Sequence, residues 1–579
     1  MSIPRPEHPR PQFVRDSWIN LNGPWSCTFD FGRSGMDPGR ELFKSTGFER
    51  EIIVPFCPES DISGVGHKDF IDMMWYHCTI DIPAAWSDRR VLLHFGAVDY
   101  ECEVFIDGIS AGSHFGGSSS FCFDITRLVS PGRSHNLVVK VIDEMRSGLQ
   151  PYGKQCFIYK SHGCSYTRTT GIWQTVWLEA ADPCGLSACL IVPDLDGSRF
   201  ILSPSFYATR RGLTYSAILK NGDTIISEAS CTALDAVSLS LPIPDPRPWS
   251  PDDPFLYNLE LKVCDGDTVI DTVSSYAGLR KIHIEGNQVF LNNEPLYQRL
   301  VLDQGFYPDG IWTAPTDAAL KRDIELSIAA GFNGARLHQK VFEERFHYWA
   351  DRLGYLTWGE FPSWGCDPNS AAAVRNAQTE WREILLRDRN HPSIITWTPW
   401  NETWHITDAK QHLRAHVEAY DLCKAIDPTR PVTDSSGGFH YKADIWTVHN
   451  YDSDGQKLAE TLTPGPDGSV WSNYPDRQKI QYSGQPYIVD EFGGIKWIPE
   501  SRREFADNSW GYGNAPQTME EFYARLEKQI DGLLNLPHVT GFCYTQLTDV
   551  EQEQNGIYNY DRSAKFDMAR IKAIFSKKR

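Results

Sequence analysis

Thr316-Asp-Ala-Ala-Leu320-Lys-Arg-Asp-Ile324-Glu-Leu-Ser-Ile328-Ala-Ala-Gly331-Phe332-Asn-Gly-Ala-Arg336-Leu337 decides the architecture. Thr316 can cap a helix, its apolar residues Leu320, Ile324 and Ile328 recur every four positions, and Gly331 can end it. A strand-like run, 332–337, follows at once. The same alternation continues downstream. Helical patterns over 341–353, 372–387, 409–425 and 519–534 interleave with strand patterns over 355–360, 394–400, 431–434, 445–448, 487–489 and 539–544. With 289–301 placed first, eight strand candidates fall in about 300 residues, the period and size of a (β/α)8 barrel over 282–579.

Toward the N-terminus the pattern is different. Residues 1–183 read as short alternating strands broken by Gly, Asp and Ser turns such as Asp107-Gly108, which predicts an all-β sandwich. The pattern restarts at Asp182-Pro183-Cys184-Gly185, and 184–281 predict a second, smaller sandwich. The Pro-rich stretch from Pro242 to Pro254 is too short for a linker and reads as an ordered loop.

Composition narrows the functions. The chain has 579 residues, of which 41% are hydrophobic and 23% charged, which excludes a disordered chain. Its net charge of −19 argues against nucleic-acid or anionic-membrane partners. Apolar runs are strand-sized, so no membrane span is expected. Fourteen scattered cysteines form no CxxC pair or zinc spacing. They predict buried thiols in a reducing compartment. The opening MSIPRPEHPRPQF has no apolar signal core, so a cytoplasmic location is expected. No cofactor and no metal are expected. The oligomeric state stays open, a homo-oligomer included. Nineteen Trp, 24 Tyr and 29 Phe offer platforms for a ring-shaped ligand such as a sugar.

In such barrels, functional residues sit just after the strands. That rule selects Asp303, Gln304, Arg336, His338, Gln339, Glu360, Asn401, Glu402, Trp404, Asp434, His449, Asn450, Tyr451, Asp490, Glu491, Tyr544, Gln546 and Asp549. Two carboxylates stand out. Glu402 ends Ile394-Ile-Thr-Trp-Thr-Pro-Trp-Asn-Glu, and Glu491 lies in Tyr487-Ile-Val-Asp-Glu-Phe-Gly-Gly; each follows an apolar strand. Glycosidic cleavage needs a proton donor for the leaving oxygen and a second carboxylate across the ring. Strands four and seven flank the barrel mouth, so these side chains can converge to about 5 Å, the retaining spacing.

The motifs now form a recognisable order. Leu21-Asn-Gly-Pro-Trp25, Gly171-Ile-Trp173, Trp249-Ser-Pro-Asp-Asp-Pro-Phe-Leu-Tyr257, Gly278-Leu-Arg-Lys281, Arg387-Asp-Arg-Asn-His-Pro-Ser-Ile-Ile-Thr-Trp397 with Asn401-Glu402, and Asp490-Glu-Phe-Gly-Gly494 span nearly the whole chain. Together they resemble glycoside hydrolase family 2, the family of β-galactosidases, β-glucuronidases and β-mannosidases. The resemblance implies a jelly-roll sugar-binding sandwich over 1–183, an immunoglobulin-like sandwich over 184–281 and a catalytic TIM barrel over 282–579. It implies an exo-acting retaining enzyme with Glu402 as acid/base and Glu491 as nucleophile. Asn401 would hold the sugar 2-hydroxyl and Arg336 would keep Glu491 ionised. Tyr451 would hydrogen-bond the nucleophile, and His449 beside it can also project inward. Trp404 and Trp497 would be sugar platforms, and Asp303, His338 and Tyr544 further substrate-binding positions.

Three departures bear on the sugar. Ser165 stands six positions before Gly171, where acidic residues are frequent in the family. Tyr544 stands where the last strand usually presents Trp. The segment Asn555–Lys565 lacks the Asn-x-Lys pair that grips a uronic carboxylate, which demotes glucuronidase. Residues 299–305 also differ from the β-galactosidase first-strand ending. β-Galactoside is the default substrate; β-galactofuranoside, α-L-arabinoside, β-mannoside and β-glucuronide are the alternatives. The rival classes are a non-catalytic carbohydrate-binding protein and a metal-dependent barrel hydrolase using Asp303, His338 and His449.

Overall fold

A computed structural model describes residues 3–499 and 508–579. The N-terminal unit stacks two antiparallel sheets. One runs Trp18–Asn20, Val176–Ala181, Arg90–Phe95, Phe121–Asp124. The other has six strands and centres on Met73–Asp81, Ser134–Ile142 and Glu101–Ile106. Alternation drives this packing: in Met73–Asp81, Met74, Tyr76 and Ile80 join a core with Leu93, Val139 and Leu178. The second sandwich pairs a three-stranded sheet with a four-stranded one around Leu202, Leu219, Leu241 and Leu261.

The C-terminal unit is a parallel sheet whose strands run, side by side, Ile394–Thr398, Leu356–Glu360, Gly334–Leu337, Gln298–Asp303, Val539–Thr545, Tyr487–Gly493, Trp446–His449. In chain order these are barrel positions four, three, two, one, eight, seven and six. Position five, expected at 431–434, is no regular strand; it is joined to position four by two parallel bridges, Trp397 to Val432 and Asn401 to Ser436. Pro431 supplies no N–H to a ladder, and Asp434 spends its carboxylate on the Tyr441 and Lys442 amides and on His440. Asp434 therefore holds a turn rather than facing the mouth.

The expected first strand, 289–301, divides. Asn292 and Asn293 adopt φ of 54° and 67° and turn the chain between Gln288–Leu291 and Glu294–Pro295. Only Gln298–Asp303 enters the barrel; the earlier residues form a small antiparallel sheet with Ile282–Glu285. Asn tolerates the left-handed region that such a tight turn requires. The helix Asp317–Ala329 is capped as its sequence indicates, with Thr316 Oγ1 accepting the Ala319 amide at 3.1 Å. Two further helices, Gly455–Leu462 and Met568–Phe575, escaped the periodicity reading because they are a bare two turns long. No helix among the described residues is long and apolar enough to cross a membrane.

Candidate active site

Arg336 organises the barrel mouth. It ends the Gly334–Leu337 strand, is fully buried, and disposes of its donors among five acceptors. Nε donates to Glu360 at 2.5 Å. Nη1 donates to Glu491 Oε1 at 2.8 Å and to the Asp490 carbonyl at 3.2 Å. Nη2 donates to Asn401 Oδ1 at 2.6 Å and to His338 Nδ1 at 3.0 Å. A buried guanidinium is stable here because Glu360, Glu491 and Asp490 surround it. Burial alone would lower its pKa; the three carboxylates drive it well above the ordinary value.

Glu491 sits on the Tyr487–Gly493 strand, where both faces are buried. Its second oxygen accepts from Tyr451 Oη at 2.5 Å and lies 3.3 Å from His449 Nδ1. Burial pushes its pKa up, but His449 and Arg336 outweigh that and hold it at about 2. Glu402 lies across the mouth. It adopts φ of 52°, a region that L-residues enter at a cost of about 1 kcal/mol and that concentrates at functional sites. Its Oε1 accepts from His449 Nδ1 at 2.7 Å. One oxygen of Glu402, one oxygen of Glu491 and a ring nitrogen of His449 all lie within 4.8 Å of one another. The two carboxylates are therefore close and differently held. Glu491 is bound to Arg336 and Tyr451; Glu402 is more exposed, with His449 beside it.

His449 takes both sides. Its Nε2 lies 2.8 Å from Ser436 Oγ, which donates to Asp490 at 2.6 Å. Burial lowers its pKa, yet Glu491 and Asp490 raise it to about 8. Tyr451 is fixed from behind by Tyr512, stacked with 3.3 Å between ring centroids, and by Thr545 Oγ1 at 3.0 Å. The strand Trp446–His449 ends before Tyr451, yet both His449 Nδ1 and Tyr451 Oη reach Glu491 Oε2, so both point inward. Asn401 is buried, and its Nδ2 has no hydrogen-bond partner, so a donor stands open beside the pair. His338 lies 4.0 Å from Glu491 Oε1; burial first, then Lys154 and Arg336, hold its pKa well below the ordinary value, so it is neutral.

Three expected site residues lie elsewhere. Asp303 accepts the Gly305 amide at 2.9 Å, and its charged neighbours are Asp323, Arg562 and Lys340 rather than the pair. Burial leads in pushing its pKa up to about 7. Its neighbour Gln304 reaches the mouth instead, donating to Tyr166 Oη at 2.7 Å. Tyr544 packs between Phe492 and Phe575 in the core under the helices. Strand alternation turns Thr545 inward in its place. Trp497 is half-buried against Phe522, in contact with that same core. Trp404, by contrast, is 40% exposed two residues after Glu402, and its ring meets Tyr474 at 5.9 Å between centroids. Sequence reasoning missed Ser436, Thr545, Tyr512 and Glu553, the last of which accepts from Tyr166 Oη, the hydroxyl that Gln304 also contacts. Thr545 ends a strand buried on both faces, where no sequence signal marks the inward parity, and the others sit on loops without a period.

Sequence models of three domains of one family match the chain in order: the sugar-binding domain over residues 65–178, the family's middle domain over 211–280 and its TIM-barrel domain over 282–495, each described as glycosyl hydrolases family 2. The chain belongs to glycosyl hydrolase family 2. The β-galactosidase of Thermoanaerobacter pseudethanolicus is 23% identical to this family-2 chain over 491 residues, 82% of this chain and 60% of that protein. The β-glucuronidase of Paenibacillus borealis is 24% identical over 392 residues, 63% of this chain and 64% of that one. The family-2 chain thus spans less than two thirds of the length of these relatives. A crystal structure of Ruminococcus gnavus β-glucuronidase superposes with a TM-score of 0.79 at 20% identity, over 99% of this chain and 100% of that one. The shared fold is the two sandwiches and the TIM barrel.

Proposed function

We propose that this chain is an exo-acting retaining glycosidase releasing a terminal β-galactoside, with Glu491 as nucleophile and Glu402 as acid/base. The observation that carries the reading is the Glu402–Glu491 approach within 4.8 Å, the close spacing at which one carboxylate attacks while the other handles the proton. In the first step an oxygen of Glu491 bonds to the anomeric carbon while the bond to the leaving oxygen breaks. Glu402 gives that oxygen its proton and is left as a carboxylate, which His449 Nδ1 contacts at 2.7 Å. In the second step Glu402 takes a proton from water, the water oxygen bonds to the anomeric carbon, and Glu491 leaves as carboxylate. Arg336 and Tyr451 support the ionised nucleophile that this sequence requires, and Asn401 Nδ2 is available to a sugar hydroxyl. Trp404 and Tyr474 offer exposed faces on the Glu402 side, where a leaving group would rest. An exo mode is supported by the 143–170 segment of the first sandwich, which lies across the mouth and is fastened to Trp364 on one side and Gln552 on the other.

For the sugar, a neutral glycoside is supported by the 549–565 region. Lys565 is buried on Asp549 at 2.7 Å, and Asn555 is engaged by Gln546 and Glu553, so neither stands ready for a uronic carboxylate. β-Glucuronide is the second reading, supported by the name of the Paenibacillus relative. Fourteen unpaired thiols support a reducing, cytoplasmic setting.

A panel of p-nitrophenyl glycosides, with galactopyranoside, galactofuranoside, arabinosides, glucuronide, mannoside and glucoside, tests the reading. Wild type, Glu402→Gln and Glu491→Gln are run side by side, with and without excess chelator. Turnover of one sugar by wild type, unaffected by chelator and lowered at least about 1000-fold by Glu491→Gln, is expected. A Glu491→Gln rate within tenfold of wild type would remove the nucleophile assignment.

A further inference from the structure

Lys154 belongs to the N-terminal sandwich, in the 143–170 segment between its strands Ser134–Ile142 and Gly171–Ile172. That segment lies across the barrel mouth and is fastened on two sides. The Tyr152 amide donates to the Trp364 carbonyl at 2.7 Å, beyond barrel position three. Gly153 adopts φ of 59°, and a Cβ there would lie 2.1 Å from the Gln339 carbonyl oxygen, so only glycine permits this approach. On the far side Gln552 Nε2 donates to the Gly163 carbonyl at 2.8 Å, and Tyr166 Oη donates to Glu553. Lys154 sits between these fastenings.

Its ammonium lies 3.9 Å from the centre of the half-exposed Trp364 ring, and the residue is buried. Among the described residues no carboxylate comes within ion-pair distance of it. The other buried cation of the mouth, Arg336, is engaged with Glu360 and Glu491. Lys154 is nonetheless charged. Burial works against that charge, but Cys164, then Glu553, Glu402 and Glu491 hold its pKa above the ordinary value. Glu553 accepts from Tyr166 Oη and from Asn555 Nδ2 at 3.0 Å, yet each carboxylate oxygen has a further lone pair, so a ligand can still find an acceptor in Glu553 and a donor in the Lys154 ammonium.

We propose that Lys154 is a specificity-determining residue of the barrel site. Its ammonium and the Glu553 carboxylate act as a separated pair that binds hydroxyls of a neutral terminal sugar, the ammonium donating and the carboxylate accepting. The proposal rests on the glycosidase reading above and deepens it. A hydroxyl satisfies both halves of the pair, being donor and acceptor at once. A sugar carboxylate would satisfy Lys154 alone and would add a negative charge beside Glu553, Glu402 and Glu491. The sandwich thereby selects the substrate that the barrel cleaves.

The test compares the full chain with Lys154→Met, Lys154→Arg and Glu553→Gln on the neutral aryl glycoside that wild type cleaves best. The same variants are assayed on its 3-, 4- and 6-deoxy analogues and on the matching uronide. Lys154→Met is expected to lower kcat/KM about 100-fold or more on the parent sugar but less than about threefold on one deoxy analogue, because that analogue already lacks the contact. Glu553→Gln is expected to single out the same or the adjacent hydroxyl, with Tm of the variants unchanged. Equal losses on the parent and every deoxy analogue would reduce Lys154 to a structural role. A wild-type preference for the uronide that Lys154→Met alone abolishes would overturn the neutral-sugar assignment. Should Lys154→Met fail to fold, the same comparison is made with Lys154→Arg, whose longer fork should shift the discrimination. Calorimetric binding of the free sugar and its deoxy forms to wild type and variant decides the Lys154 contact independently of Glu491→Gln, so the two readings fall separately.

Discussion

At the scale of single residues, charge placement divides the work of two like side chains. Glu491 and Glu402 are the same amino acid, yet one is clasped by a guanidinium and a phenol and the other by an imidazole. His449 makes that difference testable. Its pKa of about 8 means that it is an imidazolium below that pH and neutral above it. The proton facing Glu402 is therefore present on the acid side and lost as pH rises through about 8. The kcat/KM profile of wild type is expected to fall on its alkaline side with a midpoint near that value. His449→Gln keeps a donor but cannot titrate, so it should lower the rate and flatten that limb. An unchanged limb would show that another group sets it. Glu491, held at about 2, is ionised throughout the neutral range, so loss of its charge does not shape activity near pH 7.

At the scale of elements, the two-residue repeat of the last strand chooses which side chain meets the site. Thr545 points in and supports Tyr451; Tyr544 points out, where its hydroxyl is buried without a partner. Reading the strand end by position alone selected Tyr544, because no sequence signal told which parity faced inward in a strand buried on both faces. Tyr544→Phe removes an unsatisfied hydroxyl and is expected to leave kcat/KM within about twofold and Tm equal or higher. Thr545→Val removes one hydrogen bond to Tyr451, which holds Glu491, and should lower kcat/KM about 3- to 10-fold, the worth of one such bond. A steady-state comparison of the two variants, with melting curves, checks the assignment. Equal effects would contradict it.

At the scale of the molecule, the sandwiches are braced to each other and to the barrel by buried arginines. Arg15 donates to Asp271 at 2.9 and 2.8 Å, to Glu179 of the first sandwich and to the Leu186 carbonyl. Arg280, at the end of the second sandwich, donates to the Pro392 and Ile394 carbonyls of the barrel, each at 3.0 Å. Breaking a buried pair leaves a charge without its partner, which costs about 3–5 kcal/mol. Asp271→Ala is therefore expected to lower the apparent Tm by several degrees while the nucleophile environment keeps its pH profile; differential scanning calorimetry beside the activity profile measures both. Because Lys154 reaches the mouth from the first sandwich, loosening that bracing should also raise KM. An unchanged Tm would show that the junction is held by other contacts.

The chain order of the motifs was enough to identify the sandwich–sandwich–barrel plan and to single out the two glutamates that the fold brings together. Helical and strand periods are local, and Glu402 and Glu491 each close an apolar strand whose type the neighbouring residues set. Tertiary structure alone decided the rest. Asp303 and Tyr544 lie one residue out of phase with the mouth. Position five meets position four by two bridges rather than a ladder because Pro431 and Asp434 are otherwise committed. Lys154 is brought to the site across more than 200 positions of chain from Glu402. Such placements depend on which faces meet when three units pack, and side chains distant in sequence carry no periodic trace of that meeting.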